Sequence, residues 1–336
     1  MKKHDLSHIA RSLSARLQGI DYDQLPISDY NKQYISNLKP AMDYYMKIYS
    51  ACLSKGFSII NCSPENAILV DYGGGSGFLS ILAKLAGVGK IIYLDLNPKS
   101  VETIQVLKKE TGIGPDIILH GNSDTLANWC NKNNVQPDLL IATDLIEHVY
   151  DLEVFFRDLF GLNRKIQMIF TTASTPFNPY VKRRLHKLMD SSETGTVEIP
   201  NYYTLRKTYI EKNYPHLATD EIEKWTLQTR GLIYPDIDKA IKANKLPILK
   251  DKHNTCDPAS GNWTERILPI NDYHSLISPY NYSLKVDKGF YNSDRRSVVS
   301  SIICKSINLL IRLSGKVGFL IAPFIFLSCI RQRPES

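Results

Sequence analysis

The chain has 336 residues, 43% of them apolar, and carries 41 Lys and Arg against 34 Asp and Glu, a formal net charge of +7. That size suffices for a sizeable core and leaves room for a substrate-specific part beyond a nucleotide-binding domain of about 200 residues. Six cysteines, at 52, 62, 130, 256, 304 and 329, show no paired spacing, which argues against a disulfide framework or a cysteine metal centre and for a reducing cytoplasm.

Met1-Lys2-Lys3-His4-Asp5 has no apolar core behind its charges, so no secretory signal is expected. Leu6 to Asn61 reads as mostly helical, with Tyr30, Tyr34, Tyr44, Tyr45 and Tyr49 recurring along it. Residues 69–77 then read Leu-Val-Asp-Tyr-Gly-Gly-Gly-Ser-Gly, an apolar strand end, the carboxylate of Asp71, and glycines at 73, 75 and 77. Glycines at this spacing suit a sharp turn that lets a ligand touch the backbone, and a helix follows at once as Phe78 to Ala86. The dinucleotide fingerprint would need glycine where Phe78 stands, and Asp71 would repel a pyrophosphate. S-adenosylmethionine, with an ammonium, a sulfonium and no phosphate, suits the turn better.

Lys90 to Leu94 is a short apolar run fit for a buried strand. It ends at Asp95, 20 residues beyond Gly75, where a carboxylate accepts hydrogen bonds from both ribose hydroxyls, with Leu96 beside it. Asn97-Pro98 starts a helix that reaches Thr111-Gly112. A third strand, Asp116 to His120, leads to Asn122 and Ser123, polar side chains placed to read an adenine edge. A fourth, Asp138 to Ala142, leads into Thr143-Asp144-Leu145-Ile146-Glu147-His148-Val149, and Lys165 to Thr171 reads as a fifth. Strands alternating with helices predict an α/β fold with a parallel, doubly wound sheet and a ligand at the carboxyl ends of its strands.

Residues 67–175 resemble a class I S-adenosylmethionine-dependent methyltransferase. The resemblance is carried by Val70-Asp71-Tyr72-Gly73-Gly74-Gly75-Ser76-Gly77, by Asp95, and by Asp144 to Val149, which is similar to the "LEHV" segment of small-molecule methyltransferases. It implies a Rossmann-like seven-stranded sheet with an antiparallel last strand. It also implies that Gly73, Gly75 and Gly77 lie along the methionine portion of the cofactor, that Asp71 meets its ammonium directly or through water, that Asp95 holds the ribose, and that Asp144 lines the cofactor pocket. Asn122 departs from the aspartate often found at its position. By the same resemblance residues 1–61 form a helical cap over the cofactor, 62–175 the Rossmann-like core, 176–262 an inserted substrate lid, and 263–336 the completion of the sheet.

The lid opens at Pro176-Phe177-Asn178-Pro179-Tyr180, one proline short of the motif of adenine amino-methyltransferases. It continues through a basic helix over Val181 to Met189 and is rich in tyrosine, at 202, 203, 209, 214 and 234, with Trp225. Residues 1–179 carry a net charge of −1 and residues 180–336 a net +8, so an anionic acceptor or membrane surface is one expectation and an ordinary solvated face the other. Tyr282 to Phe290 reads as a sixth strand, Ser297 to Leu313 as an amphipathic helix and Phe324 to Ile330 as the final strand. The competing reading lays that helix on a membrane, with Arg295, Arg296, Lys305, Arg312 and Lys316 facing anionic headgroups.

Methyl transfer needs alignment and, for a hydroxyl acceptor, a base. His148 is the leading candidate, because imidazole ordinarily titrates near neutrality; His186 and His253 come second. Asp144, Glu147 and His148 resemble the acid-x-x-Glu-His segment with which some methyltransferases bind a divalent metal, but many related sequences use none, so no metal is expected. The expected activity is methyl transfer to a hydroxyl of a small or carrier-linked acceptor: a glycan, a sugar nucleotide or a lipid-linked intermediate. Nucleic acid is not the expected partner, since the basic residues are not interleaved with aromatics as in an RNA-binding module. The alternatives are an RNA methyltransferase and a non-catalytic S-adenosylmethionine-binding scaffold. The expected location is the cytoplasm, extending to peripheral contact at the inner membrane face.

Overall fold

The computed structural model describes residues 6–196, 200–248, 251–294 and 297–332. Arg295, Arg296 and residues 1–5 lie outside them. Nine strands form among the described residues: β1 (Ile68–Tyr72), β2 (Lys90–Asp95), β3 (Ile117–His120), β4 (Leu139–Thr143), β5 (Gln167–Thr172), β6 (Thr255–Cys256), β7 (Trp263–Glu265), β8 (Tyr282–Lys288) and β9 (Ile325–Arg331). Seven of them make one sheet in the order β3-β2-β1-β4-β5-β9-β8. β1 to β5 are parallel, and β9 runs antiparallel to both of its neighbours.

The central strands read as continuous apolar runs because both of their faces are covered. Leu69, Val70, Ile91, Ile92, Leu139, Leu140, Met168 and Ile169 are all completely buried. One layer consists of the helices Leu6–Gln18, Met42–Ile59, Phe78–Leu85 and Pro98–Thr111; the other of Ser123–Asn133, Leu152–Leu162 and Ile270–Ile277. The N-terminal helices therefore close one face of the sheet as well as reaching over its edge.

The insertion after β5 begins with the basic helix, which runs from Pro179 to Thr194, longer than its apolar spacing predicts. Asn178 extends it at the start, its side-chain oxygen accepting from the amides of Tyr180 and Val181, with Pro179 in the first turn. The helices Tyr202–Asn213, Thr219–Gln228 and Tyr234–Lys242 follow and pack a small core of their own around Ile210, Tyr214, Trp225 and Ile237. Most of the lid's tyrosines serve this subdomain. Tyr209 stacks on Tyr234 with ring centres 4.1 Å apart, the hydroxyls of Tyr209 and Tyr214 donate to Asp238, and that of Tyr203 donates to Glu223. Arg206, 1% exposed, donates twice to Glu193, at 3.1 and 2.6 Å. Glu193 also accepts from Thr255, which ties the inserted helices to the antiparallel ribbon of β6 and β7. That ribbon straddles residue 262.

Since β9 is antiparallel to β5 and to β8, β8 ends and β9 begins at the carboxyl edge of the parallel strands, where Thr172 and Lys288 both pair with Ile325. The described residues of the connection between them, 289–294 and 297–324, therefore start and finish at that edge. They hold the helix Val298–Leu313 and a short 3-10 turn, Gly315–Leu320. No described helix is long and apolar enough to cross a membrane.

Candidate cofactor and acceptor site

The residues singled out in the sequence converge on the carboxyl edge at β1, β2, β4 and β5. The turn after β1 depends on backbone that only glycine adopts readily. Gly73 and Gly77 have φ of +67° and +75°, and an added Cβ would stand 2.0 Å from a Leu145 methyl and 2.2 Å from an Ile104 methyl respectively. Gly75, at φ +52°, has ordinary contact room on its Cβ side, where its nearest neighbour is the Tyr34 hydroxyl, 3.7 Å from where a Cβ would be.

Asp95 organises this turn. Its Oδ2 accepts from the Gly75 amide and its Oδ1 from the Asn97 amide, both at 2.8 Å. Burial raises its carboxyl above the ordinary value, and those two amides together with His120 act the other way. Each oxygen keeps a lone pair for a ribose hydroxyl.

Asp71, 2% exposed, lies beneath Gly74 and accepts from Ser80 Oγ at 2.6 Å. Burial pushes its carboxyl up to about 7 from 3.8, against the hydrogen bonds from Ser80. A carboxyl whose pKa is higher folded than unfolded loses stability as pH rises from the unfolded value through the folded one. The loss therefore falls between pH 3.8 and about 7. Asp71→Asn, which keeps an acceptor for Ser80, is expected to gain on the wild type across that window by up to about 4 kcal/mol. Guanidinium unfolding of both proteins at pH 5 and pH 8 measures it; a difference that does not change with pH would be the contrary result.

Asp144 follows β4 in the left-handed region at φ +49°, and its amide donates to the Thr171 carbonyl at 3.1 Å. The residue as a whole is exposed, while desolvation of the carboxyl by neighbouring protein and the Glu265 charge push it up to about 6, with His148 opposing. Glu147 is 1% exposed, and among the described residues its Oε2 finds no hydrogen-bond partner. Burial, then Asp144 and Glu265, hold its carboxyl well above the usual carboxylate range.

His148 is fixed by its Nδ1, 2.8 Å from the Trp263 carbonyl on β7. A carbonyl only accepts, so Nδ1 carries a proton, and Nε2 is the ring nitrogen left to accept one.

Leu96 is 72% exposed, and its carbonyl accepts from His120 at 3.0 Å. Asn122 caps the helix Ser123–Asn133, its Oδ1 accepting from the Thr125 amide. Ser123 Oγ is directed to Asp158 at 2.9 Å. His186 and His253 stack on each other 3.9 Å apart in the lid, paired with Asp251 and Asp190. The structure thus gathers the glycines, Asp95, Asp144, Glu147 and His148, while Ser123 and the two lid histidines point elsewhere.

Two groups at the site go beyond the sequence reading. Tyr34, Tyr45 and Tyr49 of the N-terminal helices stand within electrostatic reach of Asp144. Burial, then Tyr45 and Asp144, push the Tyr34 hydroxyl up to about 12. The four-residue spacings of Tyr30 with Tyr34 and of Tyr45 with Tyr49 were the available signal. Glu265, which accepts from Ser174 Oγ, had none, because β7 has only three residues.

A parallel sheet of this order closed by an antiparallel strand, with a glycine turn after β1 and an acid ending β2, is the Rossmann-like fold of class I methyltransferases. No family model matches the chain. It is similar to the ribosomal protein L11 methyltransferase of Hamiltonella defensa subsp. Acyrthosiphon pisum, with 27% identity over 95 residues, 28% of this chain and 29% of the relative. The chain thus matches less than a third of that curated relative's length. Among solved structures it is similar to a chain of the complex between the Haloferax volcanii Trm112 methyltransferase activator and a putative methyltransferase, at 10% identity and TM-score 0.45, over 91% of this chain and 98% of that one. It is also similar to the plantazolicin methyltransferase BpumL in complex with SAH, at 11% identity and TM-score 0.42, over 98% and 99%. At these TM-scores the fold rests on the strand order and register described above.

Proposed function

We propose that the chain is an S-adenosylmethionine-dependent methyltransferase acting in the cytoplasm on a hydroxyl of a small or carrier-linked acceptor. The observation that carries this reading is the clamp of Asp95 on the Gly75 amide, which joins a ribose-binding acid to an open glycine turn a short way from His148 and Asp144. S-adenosylmethionine, when bound, supplies a methyl group activated on a sulfonium.

The chain's own residues supply position and a proton acceptor. Asp95 holds the ribose, the positive-φ turn admits the methionine portion, and Asp71 offers its Oδ1 to the ammonium, since Oδ2 is taken by Ser80. Tyr34 closes over Gly75 from the N-terminal cap, residues 1–61. An acceptor hydroxyl would lose its proton to His148 Nε2 as it took the methyl group that the bound cofactor would supply. Residues 176–262 form the lid that selects the acceptor, and 263–336 complete the sheet and supply the Trp263 carbonyl that orients His148. We assign no metal to Asp144, Glu147 and His148, whose Nδ1 is already committed.

A second reading has its own observation. Asp144, Glu147 and Glu265 place three acids beside His148, which suits an amine acceptor better than the anionic one that the basic lid half suggests. Calorimetric titration with S-adenosylmethionine tests the cofactor, and a mass-spectrometric search of cell extracts for acceptors gaining about 14 Da, a methyl replacing a hydrogen, tests the rest. Wild-type protein that binds no S-adenosylmethionine would sink the proposal; an O-methyl or N-methyl product decides between the two acceptors.

A further inference from the structure

The helix Val298–Leu313 shows its more apolar side to solvent. Val298, Val299, Ile302, Ile303, Leu309, Leu310 and Leu313 are each more than half exposed, as are Val317 and Leu320 in the turn that follows. Along the helix these positions fall within an arc of about 140° at roughly 100° per residue. Exposed Lys305 and Arg312 flank one margin of the arc, and exposed Lys316 follows it. The inner side is held firmly. Cys304 and Ile311 are buried, Asn308 exchanges two hydrogen bonds with the Tyr291 backbone at 2.7 and 2.9 Å, and Lys288 donates to the carbonyls of Ile311 and Gly315. The outer stripe is thus presented in a fixed orientation and is not a frayed end.

An exposed apolar stripe of this extent, interrupted along the helix by Ser306, marks a surface that meets something. Charge selects what. From Ser297 to Phe324 the chain has three cations and no carboxylate, so a symmetric pairing with a second copy would bring like charges together. Anionic headgroups complement the cations while acyl chains take the stripe.

We propose that this face of Val298–Leu313 docks on an anionic lipid membrane and holds the carboxyl edge of the sheet against it. The link to that edge is direct: Phe319 packs on Phe177 with ring centres 4.9 Å apart, and Asn178, at the start of the lid, donates to the Ala322 carbonyl at 2.9 Å. The docking surface stands on the exposed stripe and its charge. That a lipid-linked acceptor is thereby delivered to the cleft rests on the methyl-transfer reading.

Co-flotation of the full chain with equal-part phosphatidylcholine/phosphatidylglycerol vesicles and with pure phosphatidylcholine vesicles tests it, without cofactor, so the result is independent of the methyl-transfer reading. The wild type is expected to bind the anionic vesicles at least about tenfold more tightly than the neutral ones. The triple variants Ile302→Ser/Leu309→Ser/Leu313→Ser and Lys305→Glu/Arg312→Glu/Lys316→Glu are each expected to lose at least about tenfold in binding while melting like the wild type, since every replaced side chain is exposed. Wild type left unbound by both vesicles, or variants that bind as it does, would overturn the proposal. So would size-exclusion showing a dimer that the serine variant dissolves, with no vesicle binding; that result gives the face to a second copy.

Discussion

Replacing Asp95 with alanine is expected to abolish S-adenosylmethionine binding within the range calorimetry reads. The carboxylate has two tasks in the structure. It accepts from the amides of Gly75 and Asn97, and so fixes the turn at the place where the ligand must touch backbone. In the proposed site its remaining lone pairs are those that meet the ribose. Two hydrogen bonds to a charged group contribute about 3 to 6 kcal/mol together, a loss of about 10² to 10⁴ in affinity. Asn97 loses its partner as well, so the helix start beyond β2 loosens. Asp95→Asn keeps acceptors but not the charge and is expected to fall between the two. An alanine variant that binds within about threefold of the wild type would remove Asp95 from the cofactor site.

Replacing His148 with alanine is expected to lower kcat by about 10² to 10⁴, the ordinary contribution of a positioned base. The dissociation constant for S-adenosylmethionine should stay within about twofold, because in the proposed mechanism His148 meets the acceptor and not the ribose or the glycine turn. The Trp263 carbonyl accepts a hydrogen bond from Nδ1–H, so Nε2 is the atom left to accept a proton. A variant with normal kcat would show that no proton needs to be taken by this ring. That outcome favours the amine acceptor, whose neutral nitrogen takes the methyl group before it gives up a proton, with Asp144 and Glu265 near to receive it.

The core was legible because its signals are local. Runs such as Lys90 to Leu94 and Asp138 to Ala142 are short, apolar and punctuated by polar turn residues, and they became β2 and β4 within a residue or two. Asn97-Pro98 and Thr111-Gly112 bound a helix observed from Pro98 to Thr111. The last strand, expected over Phe324 to Ile330, runs from Ile325 to Arg331 and is antiparallel as the resemblance implied. What the sequence did not disclose depends on contacts between distant residues. Nothing near Tyr34 says that its hydroxyl reaches Gly75, and nothing near Trp263 says that its carbonyl meets His148. The lid's tyrosines looked available for an acceptor, but Asp238 and Glu223 already hold three of them. For the helix Val298–Leu313 periodicity predicts two faces without saying which one is covered, and the structure covers the poorer one, around Cys304 and Ile311.

The position of β9 between β5 and β8 has a consequence in time. Strand β5 ends at Thr172, yet the neighbour that completes it ends at Arg331. At a synthesis rate of roughly 5 to 20 residues per second, a growing chain waits about ten to thirty seconds before that partner leaves the ribosome. Through that interval Gln167–Thr172, buried along its whole length in the finished fold, presents an open apolar edge of the kind that recruits foreign strands. Strand β8 waits with it, made earlier but without a bonded neighbour until β9 slides between them. Nascent chains stalled within residues 172–325 are therefore the form of this protein that most needs a chaperone.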